Sequence, residues 1–498
     1  MHIHSRRTFI ASAGAAVAGF LTGLKAIEGQ ITGDSLKFVS LPDPLAKGSM
    51  VWDPSSLGYV VEEYLVSGNG PTFAPSSAVE AGIRDRPDTT QNWGTRDQAY
   101  AGGLPADFSA RPQTGTAAYT TRIIFYRPRD IRKFSGNVIL EPMHSSGHIE
   151  VFSVANRFLL TRGDAVVHVE LPGRFNALKK LSSDRYGALN MPDRTSFWTS
   201  VSQLATAMKA GSTNSLLPRP ARHMYLTGYS GSADTVYIFL SYHHRLTRMA
   251  DGSPVFDGYL PMSHIRPAPP VDAVIVSAAT QSDMFGATSG DSAASRAFRR
   301  LYNSDLPSAR RRRYEVPGAF HGPLERAEPG MAIPSQEVKQ EDAGLFATCA
   351  TSQKWPSEAE PNNFPNRAII EACFYHASRW VEKGIVPPTA PLIETDANDI
   401  ILTDENGNAR GGLRFPDISV PTDTFTPATR GELTINSCRS TGYKLPFSRE
   451  KLVALYGSRE HYLSLYDAAA EKLVAEGFIL PEGAAQMTSD RRWLAPVF

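Results

Sequence analysis

The stretch "HMYLTGYSGSADTVYIFLSYHH" (223–244) decides how the rest of the chain is read. A short apolar run ends in Gly228-Tyr229-Ser230-Gly231-Ser232, and a helix-period segment follows with Val236, Phe239, Leu240 and His243 on one face. A strand that turns at once into a helix brings the two backbones together, so only small residues fit two places before and two places after the turn. Gly228 and Ser232 meet that demand. Ser230 is therefore expected on an elbow, beside a helix N-terminus whose amides and dipole favour a developing oxyanion. The textual pattern alone is weak. "GDSAA" (290–294) fits it as well, but no strand-like run precedes it, and we read it as a chance match.

A serine hydroxyl near neutral pH is a poor nucleophile and needs a base. After an elbow of this kind the acid comes next in the chain and the histidine last. "DAVIVSAATQSD" (272–283) places Asp283 after the next-to-last strand, and "RRRYEVPGAFH" (311–321) places His321 after the last. Asp257, Asp291 and Glu315 compete for the acid's role. The Gly231 amide is the expected first donor to an oxyanion. The second is expected from "MHSSGH" (143–148), through the main chain of His144 or Ser145. His264 either lines the pocket or lies on the surface.

Outward from the elbow, strand-like runs alternate with helix-period segments. The runs are "YVVEEYLV", "AYTTRIIFYRP", "GNVILEP", "GDAVVHVEL", "HMYLTG", "VFDGYLPM", "DAVIVSAA" and "RRRYEV". Two early strands without a helix between them, then strand–helix alternation, predict an α/β fold. Its central sheet has about eight strands, mostly parallel with antiparallel edge strands, flanked by helices. Beyond residue 325 Pro-rich connectors separate helices, and "DENGNARGGL" (404–413) reads as a hairpin-like excursion. The chain thus divides into 1–26, a core over 27–325, and a helical and loop region over 326–498 packed on that core. The link between "VFDGYLPM" and "DAVIVSAA" is too short for a lid, so residues 325–498 with 284–309 are expected to cover the site and shape its pocket.

Residues 1–26 carry their own signal. "HSRRTFIASAGAAVAGFLTGLKA" (4–26) joins Arg6–Arg7 to a weakly apolar Ala/Gly segment, the layout of a bacterial twin-arginine export signal. The segment is too short and glycine-rich to span a membrane well. A periplasmic or secreted protein, carried by the twin-arginine machinery and without an integral membrane segment once processed, is the expectation. Net charge is +1 from 51 Lys+Arg and 50 Asp+Glu, so no overall field draws nucleic acid. The one basic run, "ARRRRYEV" (309–316), reads as a solvated loop feeding a strand. Three cysteines, Cys349, Cys373 and Cys438, allow one disulfide; Cys349 with Cys373 is one pairing, though sequence cannot choose it. No zinc-ligand spacing occurs, and the chemistry above needs no metal or organic cofactor.

These residues together resemble the secreted α/β-hydrolase-domain proteins with a Gly-x-Ser-Gln-Ser elbow, here Gly228-Tyr229-Ser230-Gly231-Ser232. "YVVEEYLVSGNG" (59–70), "AYTTRIIFYRPRDIRKFSGNVILEP" (118–142), "DRYGAL" (184–189), "RRRYEVPGAFH", "WVEKGIVPP" (380–388), "DENGNARGGLRFPDISVPT" (404–422) and "LPFSREKLVALYG" (445–457) look like blocks of that family. The resemblance implies a hydrolase fold with a Ser230–Asp283–His321 triad. Two departures stand out: "EPMHSSG" where a Glu-Trp-Leu-Asn-like run is usual, and "TQSD" where Glu-Thr-Asp is usual. The expected substrate is a small-molecule carboxylic ester, bulky and apolar or aromatic. An amidase, a lactonase, an acyltransferase or an inactive binding protein on the same fold are the alternatives.

Overall fold

The computed structural model describes residues 36–43, 53–74, 110–144, 147, 149–211, 216–263, 268–286, 302–321, 342–397, 400–427, 438 and 442–494. The export-signal reading of 1–26 and "GDSAA" lie outside the described residues.

A sheet of nine strands runs through the centre, in the order β1-β2-β3-β5-β4-β6-β7-β8-β9. The eight sequence-predicted strands are all present: β2 (Tyr59–Ala74), β3 (Arg111–Pro128), β4 (Asn137–Pro142), β5 (Ala165–Val169), β6 (His223–Tyr229), β7 (Gly258–Met262), β8 (Val274–Thr280) and β9 (Arg311–Val316). The ninth, β1 (Lys37–Leu41), adds to the edge antiparallel to β2. Its "KFVSL" is an edge strand exposed along most of its length, and lacks the buried apolar run that marks the others. β2 and β3 form a long antiparallel pair, β3 meets β5 antiparallel, and β5 through β9 are parallel.

The parallel strands β4, β5, β7 and β8 are buried at every position, as expected where helices cover both faces. Alternate side chains then feed two separate cores. Val138 and Leu140 of β4 join one core with Phe197 and Leu204 of α2 (Ser196–Ala210) and Val236 of α3 (Gly231–Ile238). Ile139 faces the other, with Leu159 of α1 (Glu150–Thr161) and Ile369 and Phe374 of α4 (Arg367–Lys383). A residue slipped by one place would swap cores, which pins the register.

Two sequence expectations are corrected here. Half of the basic run is not solvated: Arg310 and Arg311 are partly exposed, but Arg312 and Arg313 sit on β9 with 2% and 1% of their surface exposed. Arg312 Nη2 pairs with Asp305 at 2.6 Å, while Arg313 lies over the Tyr302 ring and beside Glu315. Internal partners have absorbed the charges that composition alone assigned to water. The disulfide joins Cys349 to Cys438, and Cys373 is a buried free thiol. Cys373 lies on the face of α4 that packs into the core, among Ile369, Ile370 and Phe374. A second, small sheet, β10 (Glu360–Pro361), β12 (Tyr443–Pro446) and β11 (Asp423–Thr426), pairs in that order, antiparallel throughout. In the excursion at 393–411 the bridges Thr395–Ile401 and Thr403–Ala409 fold the chain back on itself.

Candidate active site

Ser230 stands between β6 and α3 with φ 55° and ψ −121°, a conformation few non-glycine residues adopt. The small residues around it have visible reasons. A Cβ on Gly228 would lie 2.4 Å from the Ser232 carbonyl oxygen, so only glycine lets the helix pass so close to the strand. Ser232 is small enough for the same approach, and its Oγ both accepts from Tyr229 N and donates to Tyr229 O, each at 2.8 Å. The bend is thereby tied on itself.

Ser230 Oγ is 2.6 Å from His321 Nε2, and His321 Nδ1 is 2.6 Å from Asp283 Oδ1. The three side chains that sequence order nominated are brought into one hydrogen-bonded line. Asp283 begins a short helix directly after β8, and its side chain is 4% exposed against 24% for His321. Its second oxygen, Oδ2, accepts from Thr280 N and Thr280 Oγ1 at 2.7 Å each, and from Ser263 Oγ at 3.0 Å. Sequence reasoning missed Ser263. A polar residue at the carboxyl end of the parallel strand beside the elbow is the signal that could have flagged it.

The turn that carries His321 is held from several sides. Gly318, with φ 77°, donates its N–H to Gln281 Oε1 at 2.7 Å. Asn362 Nδ2 donates to the Gly318 carbonyl at 2.9 Å, and Asn366 Nδ2 to Phe320 O at 3.4 Å. The C-terminal region thus buttresses the histidine turn. Behind the site, Tyr229, Ser263, Thr280, Asn366, Ile369 and Ile370 border a small, mainly apolar gap.

The other acids are engaged elsewhere. Asp257 precedes β7, at the opposite end of the sheet, bonded to Lys209 Nζ at 2.8 Å and to Met224 N at 2.9 Å. Glu315 Oε2 accepts from Ile393 N at 3.0 Å. Asp291 and His264 lie outside the described residues.

In the loop expected to supply the second oxyanion donor, Met143 N–H is spent on the Val169 carbonyl at 2.9 Å and is not available to a ligand. His144 follows, and its ring stands against the elbow: a Cβ on Gly231 would fall 2.9 Å from His144 Nε2. Ser145 lies outside the described residues. The loop is closed at its base by Glu141, whose carboxyl accepts from Val151 N at 2.9 Å and Phe152 N at 3.1 Å, at the start of α1. Burial pushes that carboxyl up to about 8, against the opposing pull of the two amides. Nearby His168 is pushed down to about 3 by burial, with the Arg122 charge adding to it. With the imidazole's proton affinity held down in this way, the 3.5 Å approach of His168 Nδ1 to Glu141 Oε2 is not an ion pair.

No group of His, Cys, Asp and Glu suited to holding a metal occurs among the described residues. Nor, among them, is any helix long and apolar enough to cross a membrane.

A family model for the alpha/beta hydrolase domain matches residues 29–489. No curated protein matches the chain. Among solved structures, the chain is similar to one titled as a dienelactone hydrolase of Klebsiella pneumoniae subsp. pneumoniae, at 14% identity over 46% of this chain and 92% of that one, with TM-score 0.24. A ferulic acid esterase from Streptomyces cinnamoneus matches at 14% identity over 41% and 68% of the two chains, with TM-score 0.23. Est1E from Butyrivibrio proteoclasticus matches at 12% identity over 41% and 86%, with TM-score 0.25.

Proposed function

The chain belongs to the alpha/beta hydrolase domain family, and from that premise we propose that it is a serine hydrolase that cleaves carboxylic esters through Ser230, His321 and Asp283. The observation that carries the reading is the unbroken line Ser230 Oγ–His321 Nε2 and His321 Nδ1–Asp283 Oδ1, ending on a nucleophile held at positive φ. In this reading His321 Nε2 takes the Ser230 proton as Oγ attacks the ester carbonyl, and Asp283 holds the imidazole in the tautomer with its proton on Nδ1. The Gly231 amide and the main chain at 144–145 stabilise the tetrahedral oxyanion. His321 returns the proton to the departing alcohol, leaving an acyl-enzyme. Water, activated by the same imidazole, then attacks the acyl carbon, and its proton returns to Ser230 as the acid leaves.

The reading includes export by the twin-arginine route, motivated by Arg6–Arg7 and the apolar segment that follows. Replacing both arginines by lysine should keep the protein in the cytoplasmic fraction; unaltered export would remove this part.

A fluorophosphonate probe tests the chemistry. Wild-type protein should be labelled and the Ser230→Ala variant should not. Equal labelling of the two, or none of the wild type, would overturn the proposal. Turnover on matched panels of esters, amides and lactones of differing acyl size then identifies the bond cleaved, with bulky apolar or aromatic esters expected first.

A further inference from the structure

We propose that Ser263 is a positioning residue that locks Asp283 and His321 to one another; this rests on the serine hydrolase reading above. Its place in the fold is set before its side chain is considered. Ser263 directly follows β7, the strand between the elbow strand β6 and the acid strand β8. Ser263 N donates to Ala278 O at 2.8 Å on one side, and Ser230 N donates to Met262 O at 3.2 Å on the other. The backbone is thus fastened between nucleophile and acid.

The hydroxyl then closes a cycle. Ser263 Oγ donates to Asp283 Oδ2 at 3.0 Å and lies 3.2 Å from His321 Nδ1. Nδ1 already gives its proton to Asp283 Oδ1 at 2.6 Å. A hydroxyl has one proton and two lone pairs, so the only assignment that satisfies all three groups sends the Ser263 proton to Oδ2. Its oxygen is then a second acceptor for Nδ1–H. Asp283 cannot turn about its Cβ–Cγ bond, nor His321 about its ring axis, without breaking this cycle. When His321 Nε2 takes the Ser230 proton, the Nδ1 and Ser263 protons stay where they are. The Ser263 oxygen faces the imidazolium, and no net proton moves along the cycle.

Ser263 adopts φ 52° while only 1% exposed. Only four described non-glycine residues have positive φ, and two of them, Ser230 and Ser263, are in this site. A glycine would take that backbone without strain. Serine in its place trades backbone comfort for a hydroxyl, and the hydroxyl's partners are the acid and the base.

Ser263→Gly separates the two contributions, because it removes the hydroxyl while relieving the backbone. It should unfold at or above the wild-type temperature and yet lose about tenfold to a hundredfold in kcat, the effect of one hydrogen bond to a charged group, with KM little changed. The far-downfield proton resonance expected of His321 Nδ1–H should move or broaden. Ser263→Ala should show the same kcat loss with lower stability. Wild-type kcat and an unmoved resonance in Ser263→Gly, in protein that the fluorophosphonate still labels at Ser230, would overturn the role of Ser263 alone. A wild type that the probe does not label would overturn the hydrolase reading, and this inference with it.

Discussion

Ser230 Oγ and His321 Nε2 lie 2.6 Å apart although 91 residues separate them in the chain. The distance is set by two neighbouring features of one sheet, a bend after β6 and a turn after β9, each tied down by bonds of its own. That arrangement makes the consequences of single substitutions specific.

Asp283→Asn should preserve the fold and lower kcat by on the order of 10³–10⁴, because an amide can present its N–H to the ring and hold the wrong tautomer. KM should change little. Adding His321→Ala to Asp283→Asn should cost much less than the two single losses combined, since the residues act as a unit. Ester hydrolysis by the two single variants and the double variant checks this; fully additive losses would contradict it.

Gly231→Ala would put a methyl group 2.9 Å from His144 Nε2 and 3.2 Å from its Cδ2. The ring is the end of a flexible side chain and can move aside, so stability should fall little while kcat/KM falls. In a His144→Ala background the same Gly231→Ala change should do far less harm. A coupling of about 1 kcal/mol between the two positions is expected from a four-variant cycle, and additivity would show that ring and elbow do not press on each other.

His376 is buried, its Nε2 is 2.8 Å from the Gly477 carbonyl, and burial pushes its pKa down to about 4. The folded state therefore refuses a proton that the unfolded chain accepts below about 6.5. Stability from this group is present above pH 6.5 and is lost as pH falls from there toward 4, by about 1.4 kcal/mol per pH unit. Unfolding curves for His376→Gln should be shallower in pH across that window than those of the wild type. Identical pH slopes would count against the assignment.

The Cys349–Cys438 bridge closes a separation of 89 residues. Cys349→Ala or Cys438→Ala should each cost about 2–5 kcal/mol, with the chain-entropy account predicting the upper end, about 4.6 kcal/mol. Burial pushes the Cys373 thiol well up, so a thiol reagent should leave it untouched until the protein unfolds. Rapid labelling of native Cys373, or a Cys438→Ala variant as stable as wild type, would contradict this arrangement.

The elbow, the eight strand runs and the order of serine, acid and histidine were legible in the sequence because each is a local matter. A helix can start two residues after a strand only where side chains are small, and Gly228 and Ser232 announce that condition. A doubly covered parallel strand needs an unbroken apolar run, as in "DAVIVSAA". What depends on residues distant in sequence was not legible. β1 pairs through its backbone with an apolar pattern too weak to mark it. Cys349 pairs with Cys438, 89 residues on, while Cys373 is buried in the core as a free thiol. Arg312 and Arg313 are buried because Asp305, Glu315 and two aromatic rings meet them there. Ser263 joins Asp283 and His321 because the adjacent parallel strands β7, β8 and β9 all present their carboxyl ends on the same side. Periodicity and small-residue spacing are properties of neighbours along the chain, whereas the partner of a charge, a thiol or a hydroxyl is chosen only when the sheet is assembled.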